Sequence, residues 1–330
     1  MNTSGLVRRG VSVLLLTAGA WLSAWPQVDQ SPPQSGNAVK MEETKFYADA
    51  HPYLDEPLPK LKKIVPGLND VKPTPTEEQL TEILAKVGAK SDELLHKVPD
   101  LISDEDVIQT QGTEPPGVTS TCVGRRCGTV DRLFGNQNEK EQKFNFIILS
   151  HPAQGGRPVL EEYRISRNGK PLPPGTDAPQ FRGFVSTWIV FSPFNQAEAR
   201  FRYLGEQKID GHSTFVVAFA QVPGSVEHPG RILSDNQSVP MLLQGIAWIE
   251  QSDSRILRLR TDILAPQPEI DLQKQTVDIR FGRVRIPKIN LELWLPQKVA
   301  AEMKAKGQFV QEQHQYFRYR LYQVKSKIIF

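Results

Sequence analysis

The segment FRYLGEQKIDGHSTFVVAFA, residues 201–220, contains two strand-like runs separated by Asp210-Gly211. An Asp-Gly pair between two such runs is typical of a two-residue β-hairpin turn. Two further runs, QGIAWIE at residues 244–250 and RILRLRTDI at residues 255–263, follow after a polar gap. Because short turns join strands that run in opposite directions, the whole stretch predicts successive strands of one antiparallel sheet.

Similar strand patterns extend on both sides of this stretch. They lie at residues 104–111, 144–149, 159–165, 275–286, 291–296 and 313–329. The run 275–286 changes phase at Gly282, which indicates a β-bulge, and Asn168-Gly169 predicts another hairpin turn. The total is about nine or ten strands after residue 100, each alternating between a buried and a wet face.

Three helical segments are predicted to cover this sheet. The first begins with Thr76 as N-cap and ends at Gly88, and its apolar residues recur at helical spacing. The second runs over residues 91–99. Within residues 181–191 the large apolar side chains share one helical face, which favours a short amphipathic helix, with a strand over residues 188–191 as the alternative.

The predicted fold class is mainly β (α+β). A long curved antiparallel sheet forms a half-barrel in residues 101–330, and a helical hairpin in residues 76–100 and a short helix cover it. Residues 25–75 are rich in proline and predict an extended or partly disordered arm, whose spaced apolar residues indicate docking on the domain. The proline- and glycine-containing residues 221–240 predict a long surface loop.

The first 24 residues have the organisation of a secretory signal peptide. Arg8-Arg9 precede a short apolar run, and Ala24 stands where a signal peptidase would cut. The apolar run is shorter than a typical membrane span, although an uncleaved N-terminal anchor is the alternative. We therefore expect a periplasmic or secreted protein. No cysteine lies near the cut, so we expect no covalent lipid.

Two cysteines, Cys122 and Cys127, are the only ones in the chain of 330 residues. In an exported protein a pair this close, with glycines nearby, predicts a small-loop structural disulfide. A redox motif would need a different spacing, and two thiols alone do not complete a zinc site.

Four short motifs resemble the LolA/LolB-type lipoprotein carriers of the bacterial envelope. They are GEQKIDG at 205–211, AWIE at 247–250 with the Arg-Ile-x-Arg strand after it, LWLP at 293–296, and the closing YRLYQV at 319–324. The resemblance covers roughly residues 142–330, and the chain is also similar to a group of exported bacterial proteins whose pattern reaches the helical region. The resemblance to the LolA/LolB-type carriers implies a half-barrel that carries a lipid or an acylated hydrophobic ligand.

The chain has none of the common catalytic signatures. It contains no Gly-x-Ser-x-Gly elbow, no His-Glu-x-x-His, no Walker loop and no Gly-x-Gly-x-x-Gly fingerprint, so we expect no cofactor. None of the six histidines stands at metal spacing from another, so we expect no metal site. A formal net charge of +3 favours no polyanionic partner, and we expect no nucleic acid.

Two sets of side chains are candidates for binding. Arginines on neighbouring predicted strands form a basic face for anionic lipid head groups, which would allow peripheral membrane contact, or for a partner, with ion-paired solvated strands as the alternative. They are Arg258, Arg260, Arg280, Arg283 and Arg318. Large aromatic and apolar side chains are candidates for a ligand lining, with an ordinary filled core as the alternative. They are Trp188, Phe191, Phe215, Trp248 and Phe281.

Three functions remain open at this point. The first is a non-catalytic binding or carrier module for a lipid or acylated ligand. The second is an envelope interaction or assembly protein, which would bind a protein partner through the arm and the loop at 221–240. The third is a hydrolase without a familiar motif, for which His212 and His314 are the residues to test.

Overall fold

A computed structural model describes residues 46–74, 78–113, 122–123, 126–127, 138–152, 158–173, 181–234 and 237–323. The predicted signal peptide and the first part of the arm lie outside the described residues, as does the proposed N-cap Thr76. Among the described residues, no helix combines the length and apolar character that crossing a bilayer requires. The predicted domain boundaries stay predictions.

One large antiparallel sheet dominates the described part of the chain. Its eleven strands follow the order β6-β5-β4-β1-β15-β14-β13-β12-β11-β8-β7. The bounds are β1 Leu101–Thr113, β4 Asn138–Pro152, β5 Pro158–Arg167, β6 Lys170–Pro171, β7 Ala199–Ile209, β8 His212–Gln221, β11 Leu243–Glu250, β12 Ile256–Ile263, β13 Leu272–Ile286, β14 Leu291–Ala305 and β15 Gln308–Leu321. The predicted fold class, mainly β with a long antiparallel sheet of half-barrel type, is confirmed.

Two smaller ribbons complete the strands. β2 Cys122–Val123 pairs with β3 Arg126–Cys127, and β9 Gly230–Ser234 pairs with β10 Gln237–Met241. The second ribbon lies within residues 221–240, where the sequence predicts a loop. The prediction missed it because prolines mark turns but are tolerated in a strand whose N–H side is unpaired.

The turn and bulge signals of the sequence are confirmed in the backbone. Asn168-Gly169 and Asp210-Gly211 have positive φ at both residues, as a hairpin turn of type I′ requires. The pairing of β13 with β14 shifts register between Arg280 and Phe281, next to Gly282. Phe281 and Val284 consequently belong to the same buried core although they stand three residues apart.

The helical cover differs from the predicted hairpin. A single helix, α2, spans Glu78–Lys97, so the predicted break at Gly88 was wrong. Gly88 is buried and has another role: a Cβ atom there would lie 3.0 Å from the carbonyl oxygen of Phe191. The glycine allows the segment containing Phe191 to approach the helix closely. Its lower helix propensity destabilises α2 only modestly.

The helix α2 and the segment before β7 cover one face of the sheet, which we call the helix face. Ile83, Val87 and Leu95 of α2 are buried there at helical spacing. Residues Thr187–Phe191 form a 3-10 turn, so the predicted short helix is present in a tighter form. Trp188 and Phe191 on this turn are buried in the same core.

The described part of the arm packs on the opposite face, which we call the arm face. It contains the short helix α1, Leu58–Ile64, and docks over β7, β8 and β11 as its apolar spacing indicates. Its side chains and those of the sheet form a second buried core. The members are Tyr47, Tyr53, Leu54, Leu61, Val65, Leu68, Val71, Leu204, Val216, Ala218, Ala220, Val226, Leu242, Ile246, Trp248 and Leu264.

Backbone contacts fasten the end of the arm to the edge strand β7. Lys72 and Glu206 form an antiparallel bridge, with N to O distances of 2.8 Å and 2.9 Å. Gly205 makes the approach feasible, because a Cβ atom there would lie 2.1 Å from the Lys72 carbonyl oxygen. Its φ of 127° is also a conformation that glycine adopts most easily.

Candidate functional site

A cleft of about 160 Å³ opens at one end of the helix face. The second half of α2 forms one wall, and the 3-10 turn with Trp188 forms another. The start of β12, β13 near its bulge and the start of β14 form the rest. The cleft therefore lies between the helical cover and the sheet, where movement of α2 would change its size.

The inner surface of the cleft is apolar. Trp188, Phe281 and Leu293 are almost fully buried, and Leu94 and Trp294 pack against the same core. Trp294 is held in place because its indole Nε1 donates to the Ile256 carbonyl oxygen at 2.8 Å. Large flat side chains in fixed positions suit the binding of an apolar group without specific polar partners.

Charged side chains surround the mouth of this apolar surface. Glu93 accepts hydrogen bonds from both Lys90 (2.7 Å) and Lys97 (2.5 Å). These hydrogen bonds lower the pKa of Glu93 to about 2, and the one from Lys90 has the larger effect. Arg255 lies over the Trp294 ring, with its guanidinium carbon 5.4 Å from the ring centroid. The mouth is therefore rich in cations that stand next to apolar walls.

Trp188 has an unusual polar feature for a core residue. It is 2% exposed, and among the described residues its indole Nε1 has no hydrogen-bond acceptor. A buried donor without an acceptor costs about 1–3 kcal/mol. Trp188 also lines the cleft, but its Nε1 atom is itself buried, so a ligand reaches this donor only when neighbouring side chains move.

The predicted ligand lining is divided by the sheet. Trp188 and Phe281 line the cleft, whereas Phe191 and Phe215 pack in or against the helix-face core without lining it. Trp248 lies on the arm face, contrary to the prediction of a shared lining. Strand alternation explains the difference, because the neighbours of Trp248 in β11 point to the helix face.

Trp248 instead anchors the arm. Its indole Nε1 donates to Gln207 Oε1 at 2.9 Å, and Gln207 Nε2 donates to the Gly67 carbonyl oxygen at 3.0 Å. The Arg258 guanidinium carbon lies 4.5 Å from the centre of the Trp248 ring. The indole therefore links the sheet to the docked arm.

The predicted basic face consists of ion-paired side chains. Each of its five arginines contacts a carboxylate: Arg258–Asp278, Arg260–Asp262, Arg280–Asp210, Arg283–Glu292 and Arg318–Asp104. Arg258 and Arg260 are also largely buried. This arrangement fits the alternative of cross-strand ion pairs better than an open cationic patch.

A buried polar cluster under the helix face is absent from the sequence prediction. At its centre, the Glu105 carboxylate accepts two hydrogen bonds of 2.6 Å from Arg164 and one of 2.7 Å from the Tyr316 hydroxyl. His314 Nδ1 lies 2.9 Å from Glu105 Oε1. The second His314 nitrogen, Nε2, is 3.2 Å from Glu312 Oε2 but lacks hydrogen-bond geometry.

The charges of this cluster shift one another's pKa values. Burial alone would raise the pKa of Glu105, but the Arg164 charge and the hydrogen bond with His314 outweigh it and lower the pKa to about 2. Burial would lower the pKa of His314, but the hydrogen bond with Glu105 and the nearby Glu312 carboxylate raise it. Burial raises the pKa of Tyr316 well above its ordinary value.

The same cluster holds the segment that leads to Trp188. The buried Glu162 carboxylate accepts backbone N–H groups from Gly183 (2.9 Å), Phe184 (3.2 Å) and Val185 (2.6 Å). Burial raises the pKa of Glu162, and these backbone hydrogen bonds partly oppose the rise. The cluster thus fixes the position of the wall that carries Trp188.

A signal for the cluster is visible in strand alternation. Glu105 in β1 falls in the inward phase, between the buried Ser103 and Val107. Glu312 and His314 fall in the inward phase of β15 in the same way. Charged residues in an inward phase indicate a buried ion pair, because an unpaired charge there would be too costly.

The histidines proposed for a hydrolase do not meet. His212 begins β8 and pairs with Glu250 at 2.6 Å, whereas His314 lies in β15, and four strands separate β8 from β15 in the sheet order. Within the described ranges, no group of three or more histidine, cysteine, aspartate or glutamate side chains is placed to hold a metal ion. Cys122 and Cys127 stand opposite each other in the β2–β3 ribbon, and the disulfide stays a prediction.

Several solved structures are similar to this chain. A DUF1329 family protein from Desulfovibrio piger is 11% identical, with a TM-score of 0.34 over 73% of this chain and 92% of that one. A LolA superfamily protein from Nitrosomonas europaea is also 11% identical, with a TM-score of 0.30 over 73% and 94%. The lipoprotein LppX from Mycobacterium tuberculosis is 9% identical, with a TM-score of 0.22 over 71% and 93%.

No family model matches the chain, and no curated protein matches its sequence. The identities and TM-scores of the similar structures are low, and they carry no argument about function. They do confirm the resemblance that the four motifs predict: this chain remotely resembles the LolA-type lipoprotein-sorting fold.

Proposed function

We propose that this chain is an exported, non-catalytic binding module that accepts the apolar part of a lipid or acylated ligand in the cleft. The observation that carries the proposal is the cleft itself, an apolar space between the second half of α2 and the sheet. Ligand sites are commonly concave, mostly apolar and provided with a few polar groups, which is the composition found here.

The size of the cleft limits what it accepts in the present conformation. A dry protein cavity of about 150 Å³ holds one benzene molecule, so a space of about 160 Å³ holds a ring or the end of an acyl chain. A longer chain requires α2 to move outward. The apolar stripe of α2 rests on side chains of the sheet, and a ligand chain could replace those contacts with equivalent ones.

The positions of the tryptophans permit a direct test. Trp188 and Trp294 line the cleft, whereas Trp248 is buried on the arm face. A brominated fatty acid quenches only indoles that it touches. We expect it to quench the wild-type protein and the Trp248→Phe variant, and to quench Trp294→Phe markedly less.

Two outcomes would remove the proposal. Quenching that disappears in Trp248→Phe and persists in Trp294→Phe would place the ligand on the arm face. Absence of quenching in all three proteins, with unchanged circular dichroism, would show that the cleft takes no acyl chain.

The arm supports a second candidate function, in envelope interaction or assembly. Residues 46–72 contribute a core that is separate from the cleft, and an edge-strand bridge at Lys72 fastens their end. A partner strand that replaced this bridge would bind by β-augmentation. Crosslinking of the periplasmic protein at an exposed arm residue such as Ile64 tests this candidate, and recovery of the uncrosslinked chain alone would count against it.

A further inference from the structure

We propose that the ligand is an anionic amphiphile, whose acyl chain enters the cleft while carboxylate or phosphate oxygens of its head bind Lys90, Lys97, Arg255 and the Trp188 indole N–H. This inference rests on the proposed function and deepens it, because it names the chemical class of the head group.

The first argument is the buried, unpartnered donor of Trp188, a residue that lines the cleft. Among the described residues, Trp188 Nε1 has no acceptor, although Nε1 of Trp294, which also lines the cleft, has one at 2.8 Å. A tryptophan in a purely hydrophobic core usually finds an acceptor for its N–H group. A ligand oxygen at the boundary between chain and head would supply the acceptor that the protein does not.

The second argument is the charge distribution at the mouth. Three cations line the cleft, Lys90, Lys97 and Arg255, against two carboxylates, Glu93 and Glu292. The ion-pair partners just outside, Asp253 for Arg255 and Arg283 for Glu292, contribute one charge of each sign. The mouth therefore carries an excess of one positive charge.

The two lysines share a single carboxylate. Lys90 and Lys97 stand seven residues apart on α2, which puts them on one side of the helix with Glu93 between them. Because Glu93 accepts from both, either ammonium group can turn to an incoming anion while the other keeps Glu93 neutralised. Such sharing provides an anion site without leaving an unpaired charge in the empty protein.

The geometry also selects against other head groups. An ammonium head would face a mouth that carries an excess of one positive charge, and like charges this close repel. A neutral alcohol could accept hydrogen bonds from Trp188 and the lysines but would gain no charge–charge attraction. A free inorganic anion could use the lysines but would leave the apolar walls in water.

The experiment compares ligands that have one chain and different heads. Dodecanoate, dodecyl phosphate, dodecanol and dodecylammonium are titrated into the whole protein by calorimetry, below their micellar concentrations, with inorganic phosphate as a fifth ligand. We expect the two anionic amphiphiles to bind about tenfold more tightly than dodecanol, the gain of one charge-assisted hydrogen bond.

A variant on the same helix provides the control. The double variant Lys90→Gln/Lys97→Gln should bring dodecanoate to the affinity of dodecanol. Lys86→Gln should leave the affinities for dodecanoate and for dodecanol unchanged, because Lys86 pairs with Glu82 away from the cleft. Trp188→Phe should weaken binding of dodecanoate and of dodecanol, since it removes the donor that both would use.

The outcomes separate this inference from the proposed function. Equal affinities for dodecanoate and dodecanol, or tighter binding of dodecylammonium, overturn the anionic class and leave an apolar binding module. Inorganic phosphate that binds as tightly as dodecyl phosphate would show a free-anion site and also overturn it. Absence of binding for all four amphiphiles overturns both proposals.

Discussion

Replacing Arg164 by methionine tests whether the buried polar cluster holds the helix face together. Arg164 and Glu105 are 5% and 0% exposed at their side chains, and two hydrogen bonds of 2.6 Å join them. Arg164→Met removes the cation and leaves the carboxylate buried. Breaking a buried pair in this way destabilises proteins by about 3–5 kcal/mol.

The pKa of Glu105 leads to a similar magnitude by an independent route. A decrease from the ordinary 4.5 to about 2 corresponds to about 3 kcal/mol at 1.36 kcal/mol per pKa unit. The folded-state pKa is depressed, so this stability is present above pH 4.5 and is lost as the pH falls towards 2. In Arg164→Met that contribution is absent. The stability difference between wild type and variant should therefore narrow as the pH falls below 4.5.

Neighbouring groups modify this profile in known directions. His314 has a raised pKa, so its stabilising contribution is present below about pH 6.5 and declines as the pH rises through its folded-state value. Glu162 also has a raised pKa, so its effect on the free energy of unfolding is opposite to that of Glu105: it lowers stability as the pH rises. Glu312 and Tyr316 complete the set that faces Glu105 and His314, and burial keeps Tyr316 neutral.

The assay is urea unfolding of the wild type and of two variants at pH 7 and pH 4. Arg280→Met is the matched control, because Arg280 forms a single exposed pair with Asp210 and should cost less than about 1 kcal/mol. Equal destabilisation by Arg164→Met and Arg280→Met at pH 7 would refute the reasoning. So would a penalty for Arg164→Met that is independent of pH.

Three further predictions concern single features of the fold. Trp188→Phe should cost about 1–3 kcal/mol less in urea unfolding than Trp248→Phe, because both leave a smaller side chain in a core but only Trp188→Phe removes a buried donor that lacks an acceptor; an equal or larger loss for Trp188→Phe would refute the unpartnered donor. Gly205→Ala should release the arm to limited proteolysis, whereas Gly211→Ala, which has positive φ but open space around its Cβ position, should cost only about 1–2 kcal/mol and leave the arm protected; equal protection in both would refute the close-approach argument. In protein that an expression host exports to its oxidising periplasm, Cys122 and Cys127 should resist alkylation until a reductant is added, because the ribbon places them opposite each other; modification of both without reductant would contradict the predicted disulfide.

Sequence patterns predicted the sheet well because its information is local. Alternation specifies which residues of a strand are buried, and Asp210-Gly211 or Asn168-Gly169 specify where the chain reverses. Alternation also separates Glu161 from Glu162: Glu161 lies beside His151, whereas Glu162 accepts the backbone N–H groups of residues 183–185.

The errors occurred where a residue serves a distant contact. Gly88 has the local properties of a helix end, but its function is to admit the backbone of Phe191, which is remote in sequence. Trp248 has the composition of a ligand lining, but only the docked arm shows which face it occupies. Neither contact has a signal within a short window of sequence.

The cleft was predicted only in part for the same reason. Trp188 and Phe281 were identified by size and hydrophobicity. Lys90, Lys97 and Arg255 were not, because they become neighbours only when α2 lies across the start of β12. Charged residues on a helix are usually solvated, so their sequence positions alone point to no ligand.

Native mass spectrometry of the protein purified from the periplasm tests the central claim most directly. The spectrum is recorded before and after organic extraction, and the extract is analysed for acyl chains. The account predicts an adduct with the mass of an anionic amphiphile, which extraction removes and which is absent from Lys90→Gln/Lys97→Gln. A single apo mass in the wild type, together with a failure of added dodecanoate to produce an adduct, would contradict it.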